Sequence, residues 1–97
     1  MPTIRETGPF TDWLAGLHDP QARARINIRI RRLSLGNPGD VKPVGQGVSE
    51  MRIDYGPGYR VYFLRRGAEI ILLLCGGNKS SQSADIARAK QIAAEQG

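Results

Sequence analysis

Apolar and polar residues alternate twice in succession between Glu50 and Leu64. Met51, Ile53 and Tyr55, then Tyr59, Val61 and Phe63, take every second position; Glu50, Arg52 and Asp54, then Arg60, Tyr62 and Leu64, fill the places between. Side chains of a strand point alternately to its two faces, so the pattern predicts two strands sharing one apolar face. Gly56-Pro57-Gly58 lies between them as the turn. Closed symmetrically, this hairpin sets Asp54 opposite Arg60 and Arg52 opposite Tyr62. Its second face is then wet and carries two arginines, a carboxylate and a phenol. A slip of one residue would drive arginines into the core, so the apolar pattern specifies the faces. A third run, Ile70 to Cys75, follows Arg65-Arg66-Gly67 and is apolar on both faces, as a central strand covered on two sides requires. Together the three runs predict an antiparallel meander. The end of its third strand lies beside the start of its second, which brings Lys79 near Arg60 and the Gly-Pro-Gly turn.

Around the meander the period becomes helical. Phe10, Trp13, Leu14 and Leu17 follow Gly8-Pro9 at helical spacing and predict a short helix closed by His18. Asp19-Pro20 restarts a helix, with an acidic N-cap and proline in the first turn. Ala22, Ile26, Ile30 and Leu33 form its apolar face, and the helix reaches about Leu35 with Gly36 as its stop. Arg25, Arg29 and Arg32 flank that face, with Arg23 and Arg31 further round. Thr3 to Glu6 suits a short edge strand, and Val41 to Gly47 an extended connector. Ser83 is the expected cap of a last helix, with Asp85 in its first turn and Ile86, Ala89, Ile92 and Ala93 on its apolar side. The pattern predicts an α+β fold over residues 1–97 as one domain: two N-terminal helices packed on an antiparallel meander, then a C-terminal helix.

Composition narrows what such a domain can do. A chain of 97 residues with 40 % hydrophobic content can build one modest core. Its net charge of +5 favours a polyanionic partner. The single cysteine, Cys75, excludes an intrachain disulfide framework and reads as a small buried hydrophobe. Met1 to Phe10 holds no apolar run of the kind a signal peptide needs, and Ile70 to Cys75 is too short to cross a bilayer. The expectation is a cytoplasmic protein without membrane association.

One histidine, one cysteine and scattered carboxylates give no metal-ligand spacing and no Ser-His-Asp or Cys-His device, so neither metal nor cofactor is expected. Gly76-Gly77-Asn78-Lys79-Ser80-Ser81 lacks the P-loop spacing; its glycines would let a backbone or a phosphate approach closely. The remaining chemistry is cationic and aromatic: Arg52, Arg60, Tyr62 and Lys79 as catalytic candidates, with Lys42, Arg29, Arg32 and Asn78 as RNA-binding candidates. Arginine and lysine hold phosphates, and tyrosine can stack on an unpaired base. The same set suits metal-free phosphodiester cleavage. The RNA 2′-hydroxyl attacks phosphorus, Arg60 and Lys79 stabilise charge on the non-bridging oxygens, and Lys79 or Tyr62 moves a proton. The alternative for the same residues is a structural Arg–Asp cross-strand pair beside an exposed tyrosine.

Three blocks carry a resemblance: Gly47 to Phe63, which includes Gly-Pro-Gly-Tyr-Arg-Val-Tyr; Leu73 to Gln82, which includes Cys-Gly-Gly-Asn-Lys-Ser; and Asp85 to Lys90. They resemble the RelE/ParE superfamily of bacterial toxins, nearest the HigB-like "addiction module killer protein" branch, over roughly Phe10 to Ala93. The resemblance implies a RelE-like α+β fold and a type II toxin that cuts mRNA in the ribosomal A site by 2′-hydroxyl attack without metal. It implies a cognate antitoxin, DNA-binding and of helix-turn-helix type, besides ribosome and mRNA as partners. It matches Arg60 to a catalytic arginine and Lys79 to a basic residue after the last strand. RelE-like enzymes often carry a tyrosine or histidine near the C-terminus; here no aromatic residue or histidine follows Lys79. ParE-like relatives share the fold and inhibit DNA gyrase, which is the alternative reading.

Overall fold

Caps written into the sequence divide the N-terminal half. The Thr7 hydroxyl accepts a hydrogen bond from the Phe10 amide (3.3 Å) and donates to the Leu74 carbonyl (2.6 Å), so one side chain both starts a helix and fixes it to the sheet. The Asp19 carboxylate accepts from the Gln21 and Ala22 amides at 2.9 and 3.4 Å. The protein's structure, a computed structural model, describes residues 1–96. Its elements run β1 (Thr3–Glu6), α1 (Gly8–Ala15), α2 (Pro20–Ser34), β2 (Val41–Gly45), β3 (Val48–Ile53), β4 (Tyr59–Arg66), β5 (Ile70–Asn78), a 3₁₀ turn (Lys79–Ser81) and α3 (Gln82–Glu95).

The strands form one sheet in the order β1-β5-β4-β3-β2. The meander of β3, β4 and β5 is antiparallel as expected, but β1 pairs parallel to β5, so the sheet is mixed. No hairpin joins β1 to β5, and nothing local obliges them to run in opposite directions. Helices cover both faces. On one, Met51, Ile53, Val61, Phe63, Ile71 and Leu73 pack with Phe10 of α1 and Ile26, Ile30 and Leu33 of α2. On the other, Val48, Tyr62, Leu72, Leu74 and Cys75 pack with Ala89 and Ile92 of α3. Strand β5 is therefore covered on both sides, and its residues from Ile71 to Gly77 are buried.

Several expected boundaries move, each for a visible reason. The α1 helix ends at Ala15 with Gly16 as its C-cap, so Leu17 and His18 lie beyond it; the Leu17 carbonyl instead accepts from the Arg23 guanidinium. The connector from Val41 is a strand, paired with β3 through a two-residue turn in which Gln46 and Gly47 both have positive φ (56° and 79°). Pro43 is tolerated because β2 is the sheet edge. The last strand continues through Gly76 and Gly77 to Asn78. Ser83 is not the helix cap: Asn78 caps the 3₁₀ turn, and α3 begins at Gln82.

The two glycines of β5 admit protein and not ligand. A Cβ on Gly76 would lie 2.3 Å from the Trp13 ring, and one on Gly77 would lie 1.8 Å from the Asp85 carboxylate. The space that the sequence reserves for a close approach is taken by α1 on one side of the sheet and α3 on the other.

Candidate functional site

The hairpin of β3 and β4 closes two residues away from the symmetric register. Ile53 pairs with Tyr59, Arg52 with Arg60 and Glu50 with Tyr62. Residues 54–58 form the loop, held by amide bonds from Tyr55 to the Ile53 carbonyl (2.9 Å) and from Gly58 to the Tyr55 carbonyl (3.1 Å). Gly56 and Gly58 adopt positive φ within it, a conformation open to glycine at little cost. A shift of two keeps every side chain on its expected face. It removes the Asp54–Arg60 pair and sets the two arginines opposite each other.

Two like charges across a strand pair repel unless a counter-charge stands between them. Glu50 supplies it. Its carboxylate has no exposed surface, accepts from Arg52 Nε at 2.8 Å, and lies 3.9 Å from Arg60 Nε. It also accepts from the Gln82 side-chain Nε2 of α3 at 2.8 Å and from the Tyr62 hydroxyl at 3.1 Å. Burial by itself pushes the pKa of Glu50 up, but the bonds from Arg52, Gln82 and Tyr62 outweigh it and hold the carboxyl below its usual range.

This arrangement corrects the wet face expected from the alternation. Helix α3 covers part of it: Glu50 and Tyr62 are buried and Leu64 half-buried. Tyr62 has no exposed surface on which a base could stack. Burial, the nearby Glu50 charge and the bond to it push its phenol upward, away from proton exchange near neutrality. Tyr62 thus supports the buried carboxylate from within the α3-covered layer.

Arg52 and Arg60 reach the border of the covered region, and there they meet Lys79. A shallow groove of about 310 Å³ is lined by Asp40, Arg52, Asp54, Gly58, Arg60 and Lys79. The meander explains it, because Arg60 pairs with Gly77 and Tyr59 with Asn78. A Cβ on Gly58 would lie 3.5 Å from both Arg60 Nη1 and the Lys79 Cβ, so the hairpin loop presses directly on the start of the 3₁₀ turn. Arg60 Nη1 donates to the carbonyls of Gly58 (3.2 Å) and Tyr59 (3.3 Å), which restrains the guanidinium at the groove wall.

The other candidates separate from this groove. Arg29 ties α2 to the sheet, donating to the carbonyls of Arg52 (2.7 Å) and Pro38 (3.1 Å). Its guanidinium is a clamp that sets the end of β3. The Asn78 side chain accepts from the Ser80 amide at 2.9 Å and is engaged in capping. Lys42 is exposed on edge strand β2, opposite Glu50 in register. Arg32 is exposed on α2 and lines a second groove of about 320 Å³ with Arg25, Ile28, Arg29, Ile53 and Asp54. The two grooves meet at Asp54.

Asp40, Glu50 and Gln82 were not legible as site residues. Asp40 reaches the groove because β2 pairs with β3: the Arg52 amide donates to the Asp40 carbonyl at 2.9 Å. That pairing was the missing signal, since the Asn37-Pro38-Gly39-Asp40 cluster by itself marks only a turn. Chemically the groove offers three cations for an anion and two carboxylates that can take a proton. Its open shape suits an extended chain rather than an enclosed small molecule.

The model of a family described as phage-derived Gp49-like protein (DUF891) matches residues 12–96. An uncharacterized protein of Haemophilus influenzae is 49 % identical over 94 residues, covering 97 % of this chain and 95 % of the relative.

Proposed function

The chain belongs to the Gp49-like family of RelE/HigB-like toxins, and on that premise we propose that it is the toxin of a type II toxin–antitoxin pair that cleaves mRNA on the ribosome. The observation that carries the reading is the groove in which Arg52, Arg60 and Lys79 converge with Asp40 and Asp54.

The RNA backbone lies along this groove with a phosphodiester against Arg60 and Lys79. The 2′-oxygen attacks the adjacent phosphorus as the bond from phosphorus to the 5′-oxygen breaks. The products are a 2′,3′-cyclic phosphate and a free 5′-hydroxyl. Arg60 and Lys79 stabilise the negative charge that grows on the non-bridging oxygens, where fixed cations lower the barrier most. Asp40 or Asp54 takes the 2′-hydroxyl proton, and the Lys79 ammonium supplies one to the departing 5′-oxygen. Arg52, held by Glu50, adds positive charge beside the attacked phosphate. The proton-transfer role considered for Tyr62 passes to these groove residues.

Mapping mRNA 5′ ends within minutes of induction tests the reading. Cuts at fixed codon positions that vanish with Arg60→Ala support it. Intact mRNA with arrested replication and altered supercoiling would favour gyrase inhibition instead. A folded Arg60→Ala protein with undiminished cleavage would remove Arg60 from the site. Membership of the family implies an antitoxin partner.

A further inference from the structure

Among the described residues, three large hydrophobic side chains are strongly exposed: Met1, Ile28 (51 %) and Leu35 (57 %). Two of the three lie on α2 and its C-cap. Ile28 and Leu35 alternate with Arg25 and Arg32 at spacings of three and four residues, so the four side chains form a single stripe along α2 and its C-cap. The buried residues Ala22, Ile26, Ile30 and Leu33 face the sheet, well round the helix from this stripe. Beside it runs the groove between α2 and the end of β3, with Ile53 in its floor and Asp54 at the end that meets the Arg60 groove.

Two arginines along the stripe and its groove, Arg25 and Arg29, are held in place before anything binds. The Arg25 guanidinium sits 4.6 Å from the centre of the Tyr55 ring. The Tyr55 hydroxyl donates to Asp19 at 3.0 Å, which fixes the ring under the cation. Arg29 is tied to two backbone carbonyls at the far wall. The surface thus sets positive charge, partly fixed, around two exposed aliphatic side chains, with Asp54 at its margin and Asp19 engaged by Tyr55.

We propose that this stripe is the docking surface for an acidic amphipathic helix of the partner protein. The proposal takes from the toxin reading only the identity of that partner as the antitoxin. An RNA strand would engage the arginines and leave Ile28 and Leu35 as exposed as before. A second copy of this chain would set one basic stripe against another, in a molecule whose net charge is already +5. A helix with leucine-like residues on one side and carboxylates beside them satisfies both parts of the stripe at once. Because the two grooves meet at Asp54, a chain leaving the C-cap or N-cap of that helix has a direct path over Arg52, Arg60 and Lys79.

The test uses the intact chain and the full-length protein encoded by the adjacent reading frame, with affinity measured by calorimetry and the contact surface by hydrogen exchange. Expected results are protection along α2, a loss of at least tenfold for Ile28→Asp and again for Leu35→Asp, and a comparable loss for Arg32→Glu that Arg32→Lys does not show. Affinity should fall as salt rises. Both apolar positions are exposed, so circular dichroism of the two aspartate variants should match the parent. Ile28→Asp should still cut mRNA when expressed alone, which separates failure of docking from failure of the cleavage reading. Retained affinity in both aspartate variants, protection confined to the Arg60 groove, protection of α2 by ribosomes and not by the partner, concentration-dependent self-association through α2, or no binding by that protein would each overturn the proposal.

Discussion

Arg60 Nε lies 3.9 Å from Glu50 Oε1, beyond hydrogen-bond distance, and is a buried side-chain nitrogen without a partner. The same oxygen accepts from Arg52 Nε at 2.8 Å. One buried carboxylate therefore anchors one arginine firmly and holds the other by charge alone. A phosphate arriving in the groove can draw Arg60 outward without first breaking a good hydrogen bond to Glu50. The Gly58 and Tyr59 carbonyls limit how far it travels.

Replacing Glu50 tests that arrangement. Glu50→Gln keeps the shape and removes the charge between two arginines, which should cost about 2 kcal/mol in urea unfolding, given the usual worth of hydrogen bonds to a buried ion. The pH dependence has a definite sign. The folded carboxyl is held low, so its stabilisation is present above the unfolded value of about 4.3 and is lost as pH falls through the folded value. The variant should therefore lose less stability than the parent as pH falls from about 5 through the acid transition. Parallel acid-unfolding curves would show that Glu50 is not the linked group.

Arg60→Lys separates charge from geometry at the groove. A lysine preserves the cation but cannot bond to Gly58 and Tyr59 while presenting a flat pair of donors to phosphate. Single-turnover cleavage should drop by about a hundredfold for Arg60→Ala and by nearly as much for Arg60→Lys. The melting temperature should stay close to that of the parent in both, since Arg52 still neutralises Glu50. Full activity in the lysine variant would reduce Arg60 to a source of charge.

Gly76→Ala should be far more damaging than its small size suggests. The new Cβ would meet the rigid Trp13 ring at 2.3 Å. Forcing a methyl into such a packed site typically costs about 1–3 kcal/mol, read as a lower midpoint of denaturation. At Gly77 the obstacle is the Asp85 carboxylate, whose side chain also accepts from the Ser81 hydroxyl. Gly77→Ala should recover part of its loss when combined with Asp85→Ala, whereas Gly76→Ala should gain nothing from that second change. Equal effects in both pairs would mean that neither glycine is set by its facing side chain.

Cys75 should resist alkylation until the protein opens. Burial, with a smaller contribution from Asp85 and an opposing one from Arg88, pushes its thiol up to about 11. Its sulfur also faces the Asp85 carbonyl at 3.7 Å. At pH 8, native protein should react with iodoacetamide at least about a hundredfold more slowly than urea-unfolded protein, since the thiolate is the reactive form. Rapid labelling without loss of structure would place the sulfur within reach of solvent.

The local pattern alone was enough to place the helices, the β3–β5 meander and the two faces of its first hairpin. Parity explains this: side chains alternate in a strand whatever the turn length, so a register shift of two left Arg52 and Arg60 on the side where the sequence puts them. Meander topology likewise brought Lys79 to Arg60 before any distance was known. What lies over the polar face was a tertiary decision. The alanine-rich α3 carries too weak an apolar stripe to announce where it docks, and its docking turned Glu50 and Tyr62 from solvent groups into a buried hub. The filling of the Gly76 and Gly77 gaps, the entry of Asp40 into the groove, and the exposure of Ile28 and Leu35 also depend on contacts between residues far apart in the chain. Such contacts are settled by the joint packing of several elements, and no single stretch of sequence contains them.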